Sequence, residues 1–266
     1  MLVNDQLNRT LTFQKTPERI ISLVPSQTEL LVALGLKSKL VGITKFCIHP
    51  KELRNEVAII GGTKTLHYDK IKALKPDIII CNKEENTAEI VAECSKIAAV
   101  WVSDIYTLED SLQMIFSLGK VFDASKKSAE ICDKIVSEAN HFSSVIQSSQ
   151  RKKVAYLIWK NPYMAAGRNT FVNAMLELNN FGNILSEENS RYPEIELSTL
   201  KSADLILLSS EPFPFKESDV IALKKAFQTE VILVDGAYFS WYGSRLQNAF
   251  SYFKTLHPVL SEEVTS

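Results

Sequence analysis

The stretch "HYDKIKALKPDIIICN", residues 67–82, joins a helical segment to an unbroken apolar run. Residues 78–81 show no polar alternation, which is what a strand covered on both faces requires. The unit therefore predicts a parallel sheet flanked by helices. "IELSTLKSADLILLSS", residues 195–210, repeats the pattern, and the repeat extends to the acids. Asp69 stands eight residues before Asp77, and Glu196 stands eight before Asp204. A duplicated helix-to-strand unit predicts two related lobes.

Working outward, "RIISLV" (19–24), "LVGIT" (40–44), "VAIIG" (57–61), "DIIIC" (77–81) and "AVWVS" (99–103) read as strands. "SQTELLVALGL" (26–36) reads as a helix, with Ser26 as N-cap and Glu29 completing a capping box. From Thr107 to about Ser149 there is no strand signal and no proline, and apolar positions recur at helical spacing. One or two long helices are expected there. The alternation then restarts with strands at 154–159, 204–210 and 231–236 and helices at 169–179, 217–227 and 244–256. "TELLVALGLKSKLVGI" in the first half is echoed by "TFVNAMLELNNFGNIL" in the second. The expected fold is α/β: two Rossmann-like lobes (1–122 and 151–266) with parallel sheets. A long rigid helix (123–150) joins them, with a ligand cleft between lobes and limited closure.

Composition narrows the function. The 266 residues carry a net charge of −1, which does not suit a nucleic-acid binder or a polybasic membrane anchor. No apolar run is long enough to span a bilayer, so no direct membrane insertion is expected. The first residues, "MLVNDQLNRTLTF", lack the pattern of a secretory signal and taken literally read as cytoplasmic. The four cysteines have no regular spacing; Cys81, Cys94 and Cys132 read as buried thiols rather than a disulfide framework. Cys47 and His49 would share a face of an extended segment, as a metal pair might, but a packed cysteine beside an exposed histidine is the simpler expectation. No nucleophile elbow, phosphate loop, dinucleotide fingerprint or zincin motif occurs, so no catalytic residue, metal site or intrinsic cofactor is expected.

Aromatic residues at strand ends point instead to binding. "IWKNPYMAAG" (158–167) offers Trp159, Tyr163 and Met164; "SRYPE" (190–194) offers Arg191 and Tyr192. "DGAYFSWYGSR" (235–245) offers Phe239, Trp241, Tyr242 and Arg245, and "KFCIHP" (45–50) adds Phe46 from the first half. "EPFPF" (211–215) adds two further rings that read more readily as core. Loops are normally polar, so rings there suggest rigid contact area for a bulky ligand, with arginine adding charge or cation–π contact. The acids Asp69 and Glu196 have two readings: each favours a helix N-terminus, or the pair engages a symmetric partner with arginine-lined pockets.

"RIISLVPSQTELLVALGL…LVGITKFCIHP" followed by "LHYDKIKALKPDIIICN" resembles the helical-backbone substrate-binding proteins of ABC importers, the receptors for cobalamin, ferric siderophores and haem. Pro25, Ser26, Thr28 and Glu29 match the family's opening element, Leu74 to Ile79 match its "L-K-P-D-I-I" element, and "DG…SWYGSRL" matches its ending. The resemblance covers about Asn4 to His257. It implies a non-enzymatic receptor at the periplasm or cell surface that holds an iron or cobalt chelate and delivers it to a permease dimer. It also implies that Asp69 and Glu196 dock onto permease arginines; Asp69 is shorter than the glutamate usual at its position. The chain departs from cobalamin-binding members, which carry tryptophan near positions matching Thr63 and Asn82. An alternative reading is a cytoplasmic chelate-binding protein without a transporter; a further one is a tetrapyrrole-acting enzyme.

Overall fold

The computed structural model describes residues 1–147 and 149–257. They form two compact units. Met1–Ile105, Glu109–Ile135 and Tyr242–Gln247 make the first; Tyr106–Leu108, Val136–Trp241 and the chain from Asn248 make the second. The units therefore do not follow the linear division at residues 122 and 150. A late segment belongs to the first unit, and the expected connecting helix is shared by both.

The first unit opens with an antiparallel hairpin, β1 (Leu2–Asn4) and β2 (Thr10–Thr12), which carried no strand signal in the sequence. The α/β alternation follows: β3 (Ile20–Ser22), α1 (Pro25–Ala33), β4 (Leu40–Ile43), α2 (Leu53–Glu56), β5 (Ala58–Ile59), α3 (Tyr68–Ala73), β6 (Ile78–Asn82), α4 (Ala88–Ser95) and β7 (Ala99–Ser103). The sheet order is β5-β4-β3-β6-β7 and every pairing is parallel. Two helices come next, α5 (Leu108–Val121) and α6 (Ser125–Ile146), as the proline-free stretch predicts.

The second unit contains β8 (Lys152–Trp159), β9 (Met164–Ala165), α7 (Phe171–Leu178), β10 (Phe181–Asn183), β11 (Leu205–Ser209), α8 (Glu217–Phe227), β12 (Glu230–Val234), a short α9 (Ala237–Ser240) and α10 (Leu246–Lys254), whose first two residues belong to the first unit. Its strands run β10-β8-β11-β12 in parallel, with β9 folded back antiparallel onto β8. Every residue of β3, β6 and β11 is buried, the arrangement that the unalternating apolar runs call for.

The second acid of each repeated stretch, Asp77 or Asp204, does the same job in its own unit. Asp77 Oδ2 accepts the backbone N–H groups of Glu18 (2.8 Å) and Arg19 (2.9 Å), while the Asp77 N–H donates to the Arg19 carbonyl at 2.8 Å. Asp204 Oδ2 accepts the Lys153 N–H at 2.8 Å, and the Asp204 N–H donates to the Lys153 carbonyl at 2.8 Å. Each carboxylate thus satisfies a backbone donor where two neighbouring strands begin, β3 beside β6 and β8 beside β11. The contact fixes register, with Ile20 opposite Ile78 and Val154 opposite Leu205.

Two local expectations need correction. Helix α1 starts two residues earlier than the capping box implies: Val24 is the N-cap, Pro25 fills the first turn and no side chain caps the helix. Proline there has no N–H to satisfy and a preset φ, so Ser26 and Glu29 are released for other contacts. Glu196 precedes a 3-10 helix, Leu197–Ser202, rather than an α-helix.

All four cysteines are buried free thiols. Cys47 Sγ lies 3.1 Å from Thr28 Oγ1 and 3.3 Å from Thr44 Oγ1, so it faces the core and not a metal site with His49. Burial pushes Cys94 up to about 11 and Cys132 up to about 12, which keeps both as unreactive thiols.

Asp77→Ala and Asp204→Ala should each lower unfolding free energy by about 0.5–1.5 kcal/mol, the range of a net hydrogen bond at a part-exposed site. Urea denaturation checks this, and Asp77→Ala should exceed Asp204→Ala because its carboxylate holds two N–H groups instead of one.

Candidate functional site

In the second unit, the loops at the carboxyl ends of β8 and β10 come together. Trp159 ends β8 and is 40% exposed; its ring meets Phe213 edge-on at 5.6 Å. After the turn, Met164 pairs back beside Trp159 and bridges to Glu194, while the Tyr163 carbonyl accepts the Ile195 N–H at 2.9 Å. Tyr163 and Met164 are half-buried. Arg191 Nε donates to the Asn169 carbonyl at 2.7 Å, and its guanidinium sits 5.0 Å from the Tyr106 ring centre and 5.8 Å from that of Tyr192. A cation held against two rings keeps a fixed position at little entropic cost. Trp159, Tyr163, Met164, Arg191 and Tyr192 therefore sit on two loops tied to each other by backbone pairing.

The loop after β12 behaves differently, and its four candidates are corrected. Phe239 is fully buried, with its ring 5.0 Å from Tyr156 and 4.9 Å from Phe253. Trp241 is 8% exposed and its Nε1 donates to Glu211 Oε1 at 2.8 Å; Ser240 Oγ donates to the same oxygen. Tyr242 is buried close to Ser26 and Ser103, and burial pushes its pKa up. Arg245 forms a two-point pair with Glu29, Nε to Oε2 at 3.0 Å and Nη2 to Oε1 at 3.2 Å. The one-turn helix α9 and the residues after it fold these rings inward, so they pack beneath the loop. Phe215 is likewise core, while Phe213 is only partly buried.

In the first unit Phe46 is 48% exposed. It borders a pocket of about 370 Å³ together with Lys45, Gly62, Thr63, Lys64 and His67. The neighbouring segment after β6 is held from within. Asn82 Oδ1 accepts the N–H groups of Glu84 (2.9 Å) and Glu85 (3.1 Å), Asn86 Oδ1 accepts the Asn82 N–H (3.0 Å), and Asn86 Nδ2 donates to the Thr63 carbonyl (3.0 Å). Sequence reasoning passed over Asn82, Asn86 and Glu211 as positioning residues. The flanking asparagines of "NKEEN" were the available signal, because asparagine readily closes such turns; Glu211 offered none.

Both docking candidates lie at the surface. The Asp69 side chain is fully exposed in the first turn of α3, 3.9 Å from Lys72, and Glu196 is exposed at the start of the 3-10 helix. Among the described residues, no group of three or more His, Cys, Asp or Glu could hold a metal ion, and no helix is long and apolar enough to cross a membrane.

The Periplasmic binding protein family profile matches residues 20–232, across both units. The chain belongs to this family. Periplasmic binding proteins are a substrate-binding type, and relatives of this one carry names of that kind. An uncharacterized ABC transporter substrate-binding lipoprotein of Bacillus subtilis, YvrC, is 27% identical over 66% of this chain and 58% of its own length. The vitamin B12-binding protein of Vibrio parahaemolyticus is 23% identical over 71% of this chain and 69% of its own. The chain thus spans little more than half the length of the Bacillus lipoprotein. The fold is that of periplasmic vitamin B12-binding protein BtuF of Vibrio cholerae: TM-score 0.79 at 20% identity, covering 93% of this chain and 99% of that one. Periplasmic haem-binding protein RhuT from Roseiflexus shares it with a TM-score of 0.76 at 18% identity, covering 91% and 99%.

As the Glu29–Arg245 pair is structural here, Arg245→Met should destabilise the protein by about 1–2 kcal/mol. That is less than a fully buried pair would lose, because 25% of the Glu29 side chain remains exposed. A double-mutant cycle with Glu29→Gln, followed by urea denaturation, should show that the two losses do not add.

Proposed function

We propose that the protein is the substrate-binding component of an ABC importer, working at the periplasm or cell surface. It takes up a metal chelate (a ferric siderophore, cobalamin or haem) and hands it to a permease dimer without chemical turnover. The profile match over both units carries this reading. The names of the relatives support the ligand class, since they include vitamin B12-binding and ABC transporter substrate-binding proteins.

The residues fit the reading in two respects. Trp159, Tyr163, Met164, Arg191 and Tyr192 offer a chelate rigid apolar faces and one oriented cation on coupled loops. In the first unit, Phe46 is an exposed ring of its own. Asp69 and Glu196, in turn, are exposed carboxylates set eight residues ahead of equivalent strand-entry aspartates. Two such charges at matching places in related units suit a partner with two-fold symmetry, because each meets the same basic pocket on one of two identical subunits.

Haem, cyanocobalamin and ferric siderophores should be titrated against the full chain by tryptophan fluorescence and calorimetry. At least one should bind, and Trp159→Ala should weaken it about tenfold, the equivalent of one lost ring contact. Absence of binding to all of them overturns the reading. Asp69→Ala with Glu196→Ala should leave chelate affinity unchanged and abolish uptake through the permease reconstituted in vesicles; a fall in chelate affinity would instead place the two acids in the ligand site.

A further inference from the structure

The pocket beside Phe46 has a chemistry of its own. Its floor is the loop from Gly61 to Leu66, which is held rigidly. The Gly62 N–H donates to the Thr65 carbonyl at 2.7 Å, the Lys45 N–H to the Gly61 carbonyl at 2.8 Å, and the His67 N–H to the Ile60 carbonyl at 3.0 Å. Gly61 has φ +125°, and a Cβ there would lie 2.3 Å from the Thr65 carbonyl oxygen, so only glycine permits the turn. A Cβ on Gly62 would crowd Cε2 of Phe46 at 3.2 Å, so the ring lies directly on the glycine backbone. Asn86 anchors the far side through the Thr63 carbonyl.

Around this floor the ionisable side chains are Lys45, Lys64 and His67, and among the described residues no carboxylate lines the pocket. Lys45 Nζ lies 5.1 Å from the Phe46 ring centre, and Lys64 Nζ donates to the Glu84 carbonyl at 2.8 Å. Neither ammonium is neutralised by a carboxylate in these contacts, and both retain donors for a ligand, since an ammonium has three. The nearby acid Asp69 lies closest to Lys72, on the helix that follows.

We infer that this pocket binds an anionic, carboxylate- or phosphate-bearing arm of the chelate, which makes the cargo a negatively charged metal complex in preference to a neutral corrinoid. The inference rests on the receptor reading and deepens it. Phe46 gives the arm an apolar wall, Lys45 and Lys64 supply charge-assisted hydrogen bonds, and His67 offers a further ring N–H donor. A neutral ligand of similar bulk would gain only the ring contact.

The test measures dissociation constants of the full chain for ferric citrate, ferric pyrophosphate and cyanocobalamin by isothermal calorimetry at low and high salt. At least one anionic complex should bind more tightly than cyanocobalamin, and the preferred one tells a carboxylate arm from a phosphate arm. Its affinity should fall with salt and drop about tenfold in Lys45→Gln and in Lys64→Gln, the size of one charge-assisted hydrogen bond. Lys127→Gln, on another face of the first unit, should change nothing, and equal thermal midpoints should show that all variants are folded. Tighter binding of cyanocobalamin, or unchanged affinity in both lysine variants, would overturn the inference while leaving the receptor reading intact. Failure of all three to bind overturns the inference too; the receptor reading would then stand or fall on haem and ferric siderophores.

Discussion

The pairing of Glu29 with Arg245 is the contact on which the first unit depends. It joins residues 216 positions apart, so the unit is incomplete until most of the chain has been made. The surrounding contacts reinforce it: Tyr242 reaches Ser26 and Ser103, and the Gly243 N–H donates to Ser111 Oγ at 3.0 Å. Together they bring "YGSR" onto the start of α1 and the end of β7. A pair this far apart in sequence must offset a large loop-closure entropy, which two-point arginine–carboxylate geometry and burial of the tyrosine ring help to do. The same contacts consume two residues that had seemed available for a ligand.

Around that closure, each unit solves one problem in the same way. Parallel strands buried on both faces leave backbone groups at their starts beyond the ladder, and Asp77 and Asp204 satisfy them from the first position ahead of β6 and β11. The opposite ends of the strands carry polar side chains instead: Ser22, Asn82 and Ser103 in the first unit and Ser209 in the second, all buried. Those residues hold loops. Asn82 turns the segment after β6, and Ser209 receives the Tyr156 hydroxyl at 3.1 Å beneath the loop after β11. The loops of the proposed site are positioned because the strand ends beneath them are fixed.

Within the loops, physical context separates exposed rings from core. Trp159 ends β8 and Phe46 follows β4, and both stay about half exposed. Phe239, Trp241 and Tyr242 lie in a loop that turns inward through α9, and Glu211 fixes the indole of Trp241 from the loop after β11. An aromatic residue after a strand is compatible with either outcome. The direction of the turn decides, and that direction depends on contacts from distant parts of the chain.

The α/β class, the two related units, most strands and the long helical stretch were legible in the sequence because they follow from periodicity, which is local. The recurring spacing of Asp69 to Asp77 and of Glu196 to Asp204 was equally local, and it marked both a strand-entry clamp and an exposed acid in each unit. The hairpin β1–β2 and the two-residue β9 were not legible, since both are antiparallel additions outside the apolar runs of the parallel sheets. The capping box at Ser26 and Glu29 fitted the sequence motif, yet the helix starts earlier and the long-range partner Arg245 claims the Glu29 side chain. Only the tertiary structure decided which aromatic loops fold inward, that the late segment completes the first unit, and that Lys45, Lys64 and His67 gather around Phe46. Those outcomes depend on residues that meet through the fold, at separations where sequence pattern carries no signal.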